Sequence, residues 1–329
     1  MAGADGWILL TNDDGIEAPG FRTLVTALHR AGHPLVTLAP SQNHSAAGMR
    51  IQLGAPMAVR SREDLRAAWG LDGTAPLLLH EIDGTPCDAM IVALDGGLEH
   101  LHPGLVPRLV VSGVNLGPNL SQDFYHSGTM GAAREAGLYG MPAIAASFTS
   151  FEEPGMDLAV KATLDLVERA LSVLPMRPTN LGRPTLDLSA SHISAWPAKD
   201  EGAWAKDAGA AVRTAFAHGE VMLNLNVGPS WDGTWRTTRL GTRWYRQAVA
   251  FSEADGEDLA TFVIGAASIE QTPVDGGDCC AVDAGAASLS CLPTWPATHP
   301  LAVDDGLLAE ALRSNRDGWP CWLDPQERC

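Results

Sequence analysis

The segment Trp7-Ile8-Leu9-Leu10-Thr11 is an unbroken apolar run of strand length, stopped by the polar turn Asn12-Asp13-Asp14-Gly15. A run without alternation is buried on both faces, as in a strand inside a parallel sheet. Helical spacing follows at once. Pro19 suits a first helical turn, and Phe21, Leu24, Val25 and Leu28 fall at i, i+3, i+4 and i+7. Gly32 is placed to stop that helix, and Leu35 to Ala39 is a second apolar strand. Strand, helix and strand within about thirty residues make a βαβ unit, which requires a parallel sheet covered by helices.

The pattern recurs. Leu109-Val110-Val111-Ser112-Gly113 reads as a buried strand, a helix follows from about Thr129 to Gly137, and Ala143 to Ser147 is the next strand. Val160, Leu164, Val167 and Leu171 mark one face of a longer helix that begins near Asp157. Residues 1–175 are therefore expected to form a Rossmann-like, doubly wound α/β core with a mostly parallel sheet. From 176 to 218 Pro, Gly and Ala dominate around the isolated Trp196 and Trp204, and the stretch is expected to be an insertion or mobile excursion. Residues 219–329 are expected to hold C-terminal strands beginning with Val221 to Val227, a β-rich hairpin extension and a terminal helix. Leu307, Leu308, Ala311 and Leu312 mark that helix, and the chain from Trp319 reads as a tail.

A formal charge of −17, without any Lys/Arg cluster, argues against a nucleic acid polymer as partner. An anionic substrate would need its positive potential from a bound cation or from N–H groups at a helix start. The six cysteines, Cys87, Cys279, Cys280, Cys291, Cys321 and Cys329, match neither a zinc site nor a short disulfide scaffold, and are read as thiols. The chain begins without a secretory pattern and no run approaches the ~20 apolar residues of a membrane span, so a cytoplasmic protein is expected.

Four clusters sit where strands of the expected sheet end, the region where open α/β sheets bind ligands. Asp13 and Asp14 repel each other unless a hard divalent cation lies near them; an Asp-rich turn capping the next helix has the same sequence. Pro40-Ser41-Gln42-Asn43-His44-Ser45 is the second cluster, with an ordinary polar loop as its alternative. In Ser112-Gly113-Val114-Asn115-Leu116-Gly117-Pro118-Asn119, glycines permit close backbone approach while two carboxamides supply neutral oxygens. Ser127-Gly128-Thr129 leads into a small-residue helix, either as a phosphate cradle or as a plain N-cap. His44 and His126 are candidate proton donors to a leaving alcohol. Arg134 and Glu135 are expected on an exposed helix face, and Trp196, Trp204 and Trp244 in packing, with stacking on a base as the alternative.

Leu9-Leu10-Thr11-Asn12-Asp13-Asp14-Gly15 with Ala18-Pro19-Gly20 resembles the N-terminal signature of the SurE nucleotidase family. Ala39-Pro40 with Ser45, Gly84-Thr85-Pro86-Cys87-Asp88, the Ser112 to Asn119 run and Ser127-Gly128-Thr129 are similar to its other motifs, in order. Weaker similarity continues through Leu223-Asn224-Leu225-Asn226-Val227, Gly241-Thr242-Arg243 and Asp283-Ala284-Gly285 as far as Pro293. The resemblance implies a divalent cation, Mg²⁺ or Mn²⁺, on Asp13, Asp14, Ser45 and Asn115. It also implies hydrolysis of nucleoside 5′- or 3′-monophosphates, and a homodimer or homotetramer built through the C-terminal extension. In that scheme Asp13, Asp14 and Asn119 are the catalytic candidates. Asn43, His44, Asn119, His126, Ser127, Gly128 and Thr129 are the phosphate or substrate contacts, and either water or Asp14 is the nucleophile.

Ser41-Gln42 stands where the family usually has Asp-Arg. A positive charge near the substrate is thereby lost or supplied by His44. The change favours one alternative, a pathway-specific phosphatase for another small phosphate ester; the other, a non-catalytic nucleotide-binding protein on the same fold, is opposed by the intact Asp13, Asp14, Ser45 and Asn115.

Overall fold

Eight strands build one sheet: β1 (Trp7–Thr11), β2 (Leu35–Thr37), β3 (Leu77–Leu78), β4 (Pro107–Leu116), β5 (Ala143–Phe148), β6 (Val221–Val227), β7 (Trp235–Thr238) and β8 (Ala287–Pro293). The structure is a computed structural model that describes residues 6–178, 207–252, 260–265 and 268–324. The strand order is β7-β8-β6-β5-β4-β1-β2-β3. Every pairing from β3 to β6 is parallel, whereas β8 runs antiparallel to β6 and carries β7 parallel to itself. The central strands are buried on both faces, as their unbroken apolar runs require.

The described helices longer than five residues are α1 (Pro19–Arg30), α2 (Pro86–Val92), α3 (Gly128–Leu138), α4 (Met156–Val173), α5 (Ala208–Ala217), α6 (Asp278–Asp283) and α7 (Asp305–Ala311). Residues of α1, α4, α5 and α7 join the core on one face of the sheet, and residues of α2 and α3 join the core on the other. On α1 the buried residues include Phe21, Leu24, Val25 and Leu28, the stripe that the spacing demands. Burial of each contributes on the order of 1.5–3 kcal/mol. Gly32, at φ +92°, follows the last turn of α1 in the left-handed conformation that ends many helices.

Two antiparallel ribbons extend from the β-rich region: Thr242–Arg246 pairs with Ser268–Thr272, and Val249–Ser252 pairs with Thr261–Ile264. Together with α7 they give the doubly wound sheet, β-rich extension and terminal helix expected from the pattern.

Several boundaries differ from expectation. The sheet does not stop near residue 175, because β6, β8 and β7 extend it. Within 176–218, residues 208–217 form α5, and its Val212, Ala215 and Phe216 are fully buried, so this part is core. Alanine-rich helices pack through small side chains and carry little hydrophobic contrast, which is why the stretch read as an excursion. Residues 179–206, with Trp196 and Trp204, lie outside the described residues. The expected strand through Ala39 breaks at Leu38, and Ala39–Pro40 instead pairs with His80–Ile82 in a small separate sheet. The described part of the supposed tail, 319–324, is also core: Trp322 is 1% exposed and packs edge-on against Phe216, with Trp319 stacked on Trp235. Cys321 is disulfide-bonded, against the reading of six thiols, while Cys87, Cys279, Cys280 and Cys291 are free.

Candidate metal and phosphate site

β1 ends at Thr11, so the next residues of the chain emerge at the carboxyl edge of the sheet beside β4. Asp13 is 2% exposed there, while Asp14 is only partly buried. Their settings are different. The Thr129 hydroxyl donates to Asp13 Oδ1 at 2.5 Å, which ties the carboxylate to the first turn of α3. Gly128 makes that seat possible, since a Cβ there would lie 2.8 Å from Asp13 Cβ and 2.9 Å from its Oδ2. Asp14 instead receives the Leu116 N–H at 3.2 Å and Asn43 Nδ2 at 3.4 Å.

Burial is the main reason that the Asp13 carboxyl rises to about 6. Asp14 adds to the rise, and the hydroxyl and N–H of Thr129 oppose it. Asp14 is also raised, again by burial first, against the pull of the Leu116 N–H and the Ser45 side chain. Both carboxyls thus resist ionising side by side, and a nearby cation would reverse that preference.

Ser45 reaches this place on a loop fastened along its length. The His44 N–H donates to the Asp13 carbonyl at 2.6 Å, the Gly48 N–H to the His126 carbonyl at 2.8 Å, and Asn43 Oδ1 accepts from the Ser45 N–H at 2.7 Å. Asp88 then accepts from the Gln52 N–H at 2.9 Å while closing a capping box with Thr85 at the start of α2. The Gly84 to Asp88 motif therefore anchors the Ser45 loop. Asn115 stands beside this group at the end of β4, its Nδ2 donating to the Gly117 carbonyl at 2.9 Å, which leaves the oxygen as the acceptor end. Gly113 is required earlier in β4, because a Cβ there would sit 2.3 Å from the Ala146 carbonyl oxygen.

The donor set Asp13, Asp14, Ser45 and Asn115 is all oxygen, with two carboxylates and two neutral groups. Such a set fits a hard divalent cation. Among the described residues no cluster of three His, Cys, Asp or Glu offers a site of the zinc type. Thr11 Oγ1, Asn12 Oδ1 and Ser112 Oγ are buried at the same edge without a hydrogen-bond partner among the described residues, so the floor beneath the carboxylates is polar.

The remaining expected residues divide by environment. Ser127 is the N-cap of α3, accepting from the Met130 N–H at 3.1 Å. The capping alternative is what this structure shows for Ser127, and the Thr129 hydroxyl serves Asp13 rather than standing free for phosphate. Asn119 is 2% exposed and held from several sides by Ser147, Asn224 and Asn226. His126 is exposed beside the cap. Burial and Arg50 hold His44 below its ordinary range, so it does not replace a standing positive charge at neutral pH. Arg134 and Glu135 are not on an exposed face. Glu135 is buried, and Arg134 lies over the Phe124 ring with its Nε donating to the Thr294 carbonyl, because α3 is packed on several sides. Trp244 is half exposed on its ribbon.

Three buried residues escaped the motif reading as site elements: Asn224, Asn226 and Asp278. Asp278 accepts from the N–H groups of Ser121, Gly241 and Cys279 at 2.9, 2.8 and 2.7 Å, and so joins the loop after β4 to the base of a ribbon. Asparagine at alternate positions of a buried strand was the available signal for the first two.

The sequence profile of the family described as Survival protein SurE matches residues 8–248, from β1 through the first ribbon strand. The chain belongs to the SurE family. Among curated SurE relatives, the 5′-nucleotidase SurE of Prochlorococcus marinus strain NATL2A is 37% identical over 168 residues, covering 50% of this chain and 58% of the relative. The 5′-nucleotidase SurE of Gloeobacter violaceus is 38% identical over 177 residues, covering 51% and 59%. The chain thus spans under two thirds of the length of these curated relatives. The crystal structure of the SurE protein from Aquifex aeolicus aligns more widely, over 88% of this chain and 94% of that one, with 25% identity and a TM-score of 0.60. The SurE match accounts for the doubly wound sheet. Among the described residues no helix is long and apolar enough to cross a membrane.

Proposed function

We propose that this SurE-family chain is a divalent-metal-dependent phosphomonoester hydrolase acting on nucleoside 5′- or 3′-monophosphates. The observation that carries the reading is the Asp13–Thr129 hydrogen bond, which sets a carboxylate pair against the start of α3. A helix start attracts anions and a carboxylate pair attracts cations, so the two halves suit a metal-bridged phosphate. Support also comes from the curated relatives named 5′-nucleotidase SurE.

Asp13, Asp14, Ser45 and Asn115 would hold Mg²⁺ or Mn²⁺, which when bound stabilises charge on a transferring phosphoryl group. Gly128 allows close approach to the α3 start, Ser127 fixes the cap, and Thr129 keeps Asp13 in place. Asn119 offers a carboxamide from the neighbouring loop, while Asn43 orients Ser45 and Asp14. His126, exposed next to the cap, is the better placed of the two histidines to give a proton to the leaving alcohol. We further propose a homodimer or homotetramer through the ribbons, where Phe251, Phe262, Val263 and Ile264 are exposed. A cytoplasmic setting is supported by the free thiols and opposed by the Cys321 disulfide.

Phosphate release should be followed over nucleoside monophosphates, sugar phosphates and polyphosphate, with Mn²⁺ and with excess EDTA. The reading expects turnover of nucleoside monophosphates with Mn²⁺ only, and its loss in a folded Asp14→Ala variant. Full activity in EDTA sinks the metal assignment. Preference for a non-nucleotide ester points to the pathway-specific alternative, and binding without release to the nucleotide-binding one.

A further inference from the structure

Asn224 and Asn226 occupy positions of β6 where a buried strand ordinarily carries apolar side chains. Leu223, Leu225 and Val227 pack into the core on one face, and Met222, which shares the face of the two asparagines, packs into the core on the other. Both asparagines are fully buried. A carboxamide in such a place costs free energy unless its two ends are hydrogen-bonded.

Their bonds converge on one residue. Asn226 Oδ1 accepts from the N–H of Asn119 at 2.8 Å, and Asn226 Nδ2 donates to the Asn119 carbonyl at 3.2 Å. Asn224 Nδ2 donates to that same carbonyl at 2.9 Å, and Asn224 Oδ1 accepts from Asn226 Nδ2 at 3.1 Å. Ser147, the register partner of Asn226 on β5, accepts from Asn119 Nδ2 at 2.7 Å. Both backbone polar groups of Asn119 and one hydrogen of its side-chain amide are therefore fixed from two adjacent strands. A carboxamide nitrogen carries two hydrogens, so one remains for another acceptor.

Leucine or valine at 224 and 226 would keep the strand pairing but leave the buried N–H and carbonyl of Asn119 unpaired, so the two amides serve the loop that carries Asn119 rather than the strand they sit on. We infer that Asn224, Asn226 and Ser147 are positioning residues, which aim the remaining amide hydrogen of Asn119 at the substrate phosphate. The inference rests on the phosphate-site reading above and adds the part of the sheet that sets its geometry.

The test uses the full chain loaded with Mn²⁺ and two readouts: calorimetric binding of inorganic phosphate, and phosphate release from a nucleoside monophosphate. Asn226→Ala should weaken both about tenfold, the size expected for a misdirected hydrogen bond to a charged group, while Mn²⁺ affinity is unchanged. In an Asn119→Ala background the same change should cost less than twofold, since no amide remains to be aimed. Asn226→Asp retains the acceptor for the Asn119 N–H, but its carboxyl can donate to the Asn119 carbonyl only when protonated. Its phosphate affinity relative to wild type should fall as pH rises, a signature that a purely structural role would not produce. If Asn226→Ala does not fold, Asn224→Ala and the acid arm of Asn226→Asp decide.

Equal losses in the wild-type and Asn119→Ala backgrounds, or unchanged phosphate binding by a folded Asn226→Ala, overturn the inference. Wild type that binds phosphate but releases none from esters refutes the hydrolase reading alone, and the binding arm still judges the positioning. Wild type that binds no phosphate with Mn²⁺ overturns both.

Discussion

Thr129→Val keeps the side-chain shape and deletes the hydroxyl that donates to Asp13 Oδ1 at 2.5 Å. Asp13 already titrates at about 6, with the hydroxyl among the groups that hold it down. A hydrogen bond to a charged group contributes about 1.5–3 kcal/mol, and one pK unit corresponds to about 1.4 kcal/mol. Loss of the hydroxyl should therefore raise the Asp13 pKa by roughly one to two units. A metal ligand must be deprotonated to bind, so this shift becomes a pH-dependent loss of cation affinity. At pH 6 about half of wild-type Asp13 is ionised, against about 3% for a group titrating near 7.5, which predicts roughly fifteenfold weaker binding. At pH 7 the same arithmetic leaves about a fourfold deficit, and by about pH 9 none. Mn²⁺ titrations of both proteins by electron paramagnetic resonance, from pH 5.5 to 9, measure this directly. A deficit that does not change with pH, or no deficit at pH 6, refutes the assignment of the Thr129 hydroxyl to Asp13.

Gly128→Ala should displace the Asp13 carboxylate, because the new Cβ would meet it at 2.8–2.9 Å. Mn²⁺ binding should be lost and stability should fall by about 1–3 kcal/mol in urea unfolding. Phe216→Ala should cost about 3–5 kcal/mol by urea midpoint, since its fully buried ring packs on Trp322; a loss below about 1 kcal/mol would return α5 to the surface. The metal-free protein should lose stability as pH climbs from about 4 through about 6, because a carboxyl whose folded pKa is raised binds its proton more tightly when folded. Asp13→Asn should flatten that part of the curve in EDTA, and a steeper fall in the variant would count against the raised Asp13.

Much of this structure was legible because its central strands are fully buried. Trp7 to Thr11 and Leu109 to Gly113 have no alternation to confuse with a surface strand, and α1 carries a complete apolar stripe. Asp13, Asp14, Ser45 and Asn115 could be nominated because each follows a legible strand. The roles of their neighbours could not. Whether Ser127 caps a helix or holds a ligand depends on where Met130 N–H points, and whether Thr129 faces phosphate or Asp13 depends on a contact 116 residues away. α5 was missed because alanine contributes to a core without marking a face, and Trp322 because a short C-terminal stretch has no period to read. The hydrogen bonds that hold Asn119 come from β6, where only the anomaly of two buried amides hinted at them.

The distances along the chain that close this site have a kinetic meaning. Asp13 meets Thr129 across 116 residues, and Asn119 meets Asn226 across 107, so the polar cluster is complete only after β6 has docked. A site assembled from such distant parts is expected to be completed after the rate-limiting step of folding rather than before it. A cation added during refolding therefore finds no nucleus to stabilise, and it should leave the rate of folding nearly as it was. Its effect belongs to the other direction: bound to a geometry absent from the transition state, it retards unfolding and lengthens the life of the native protein.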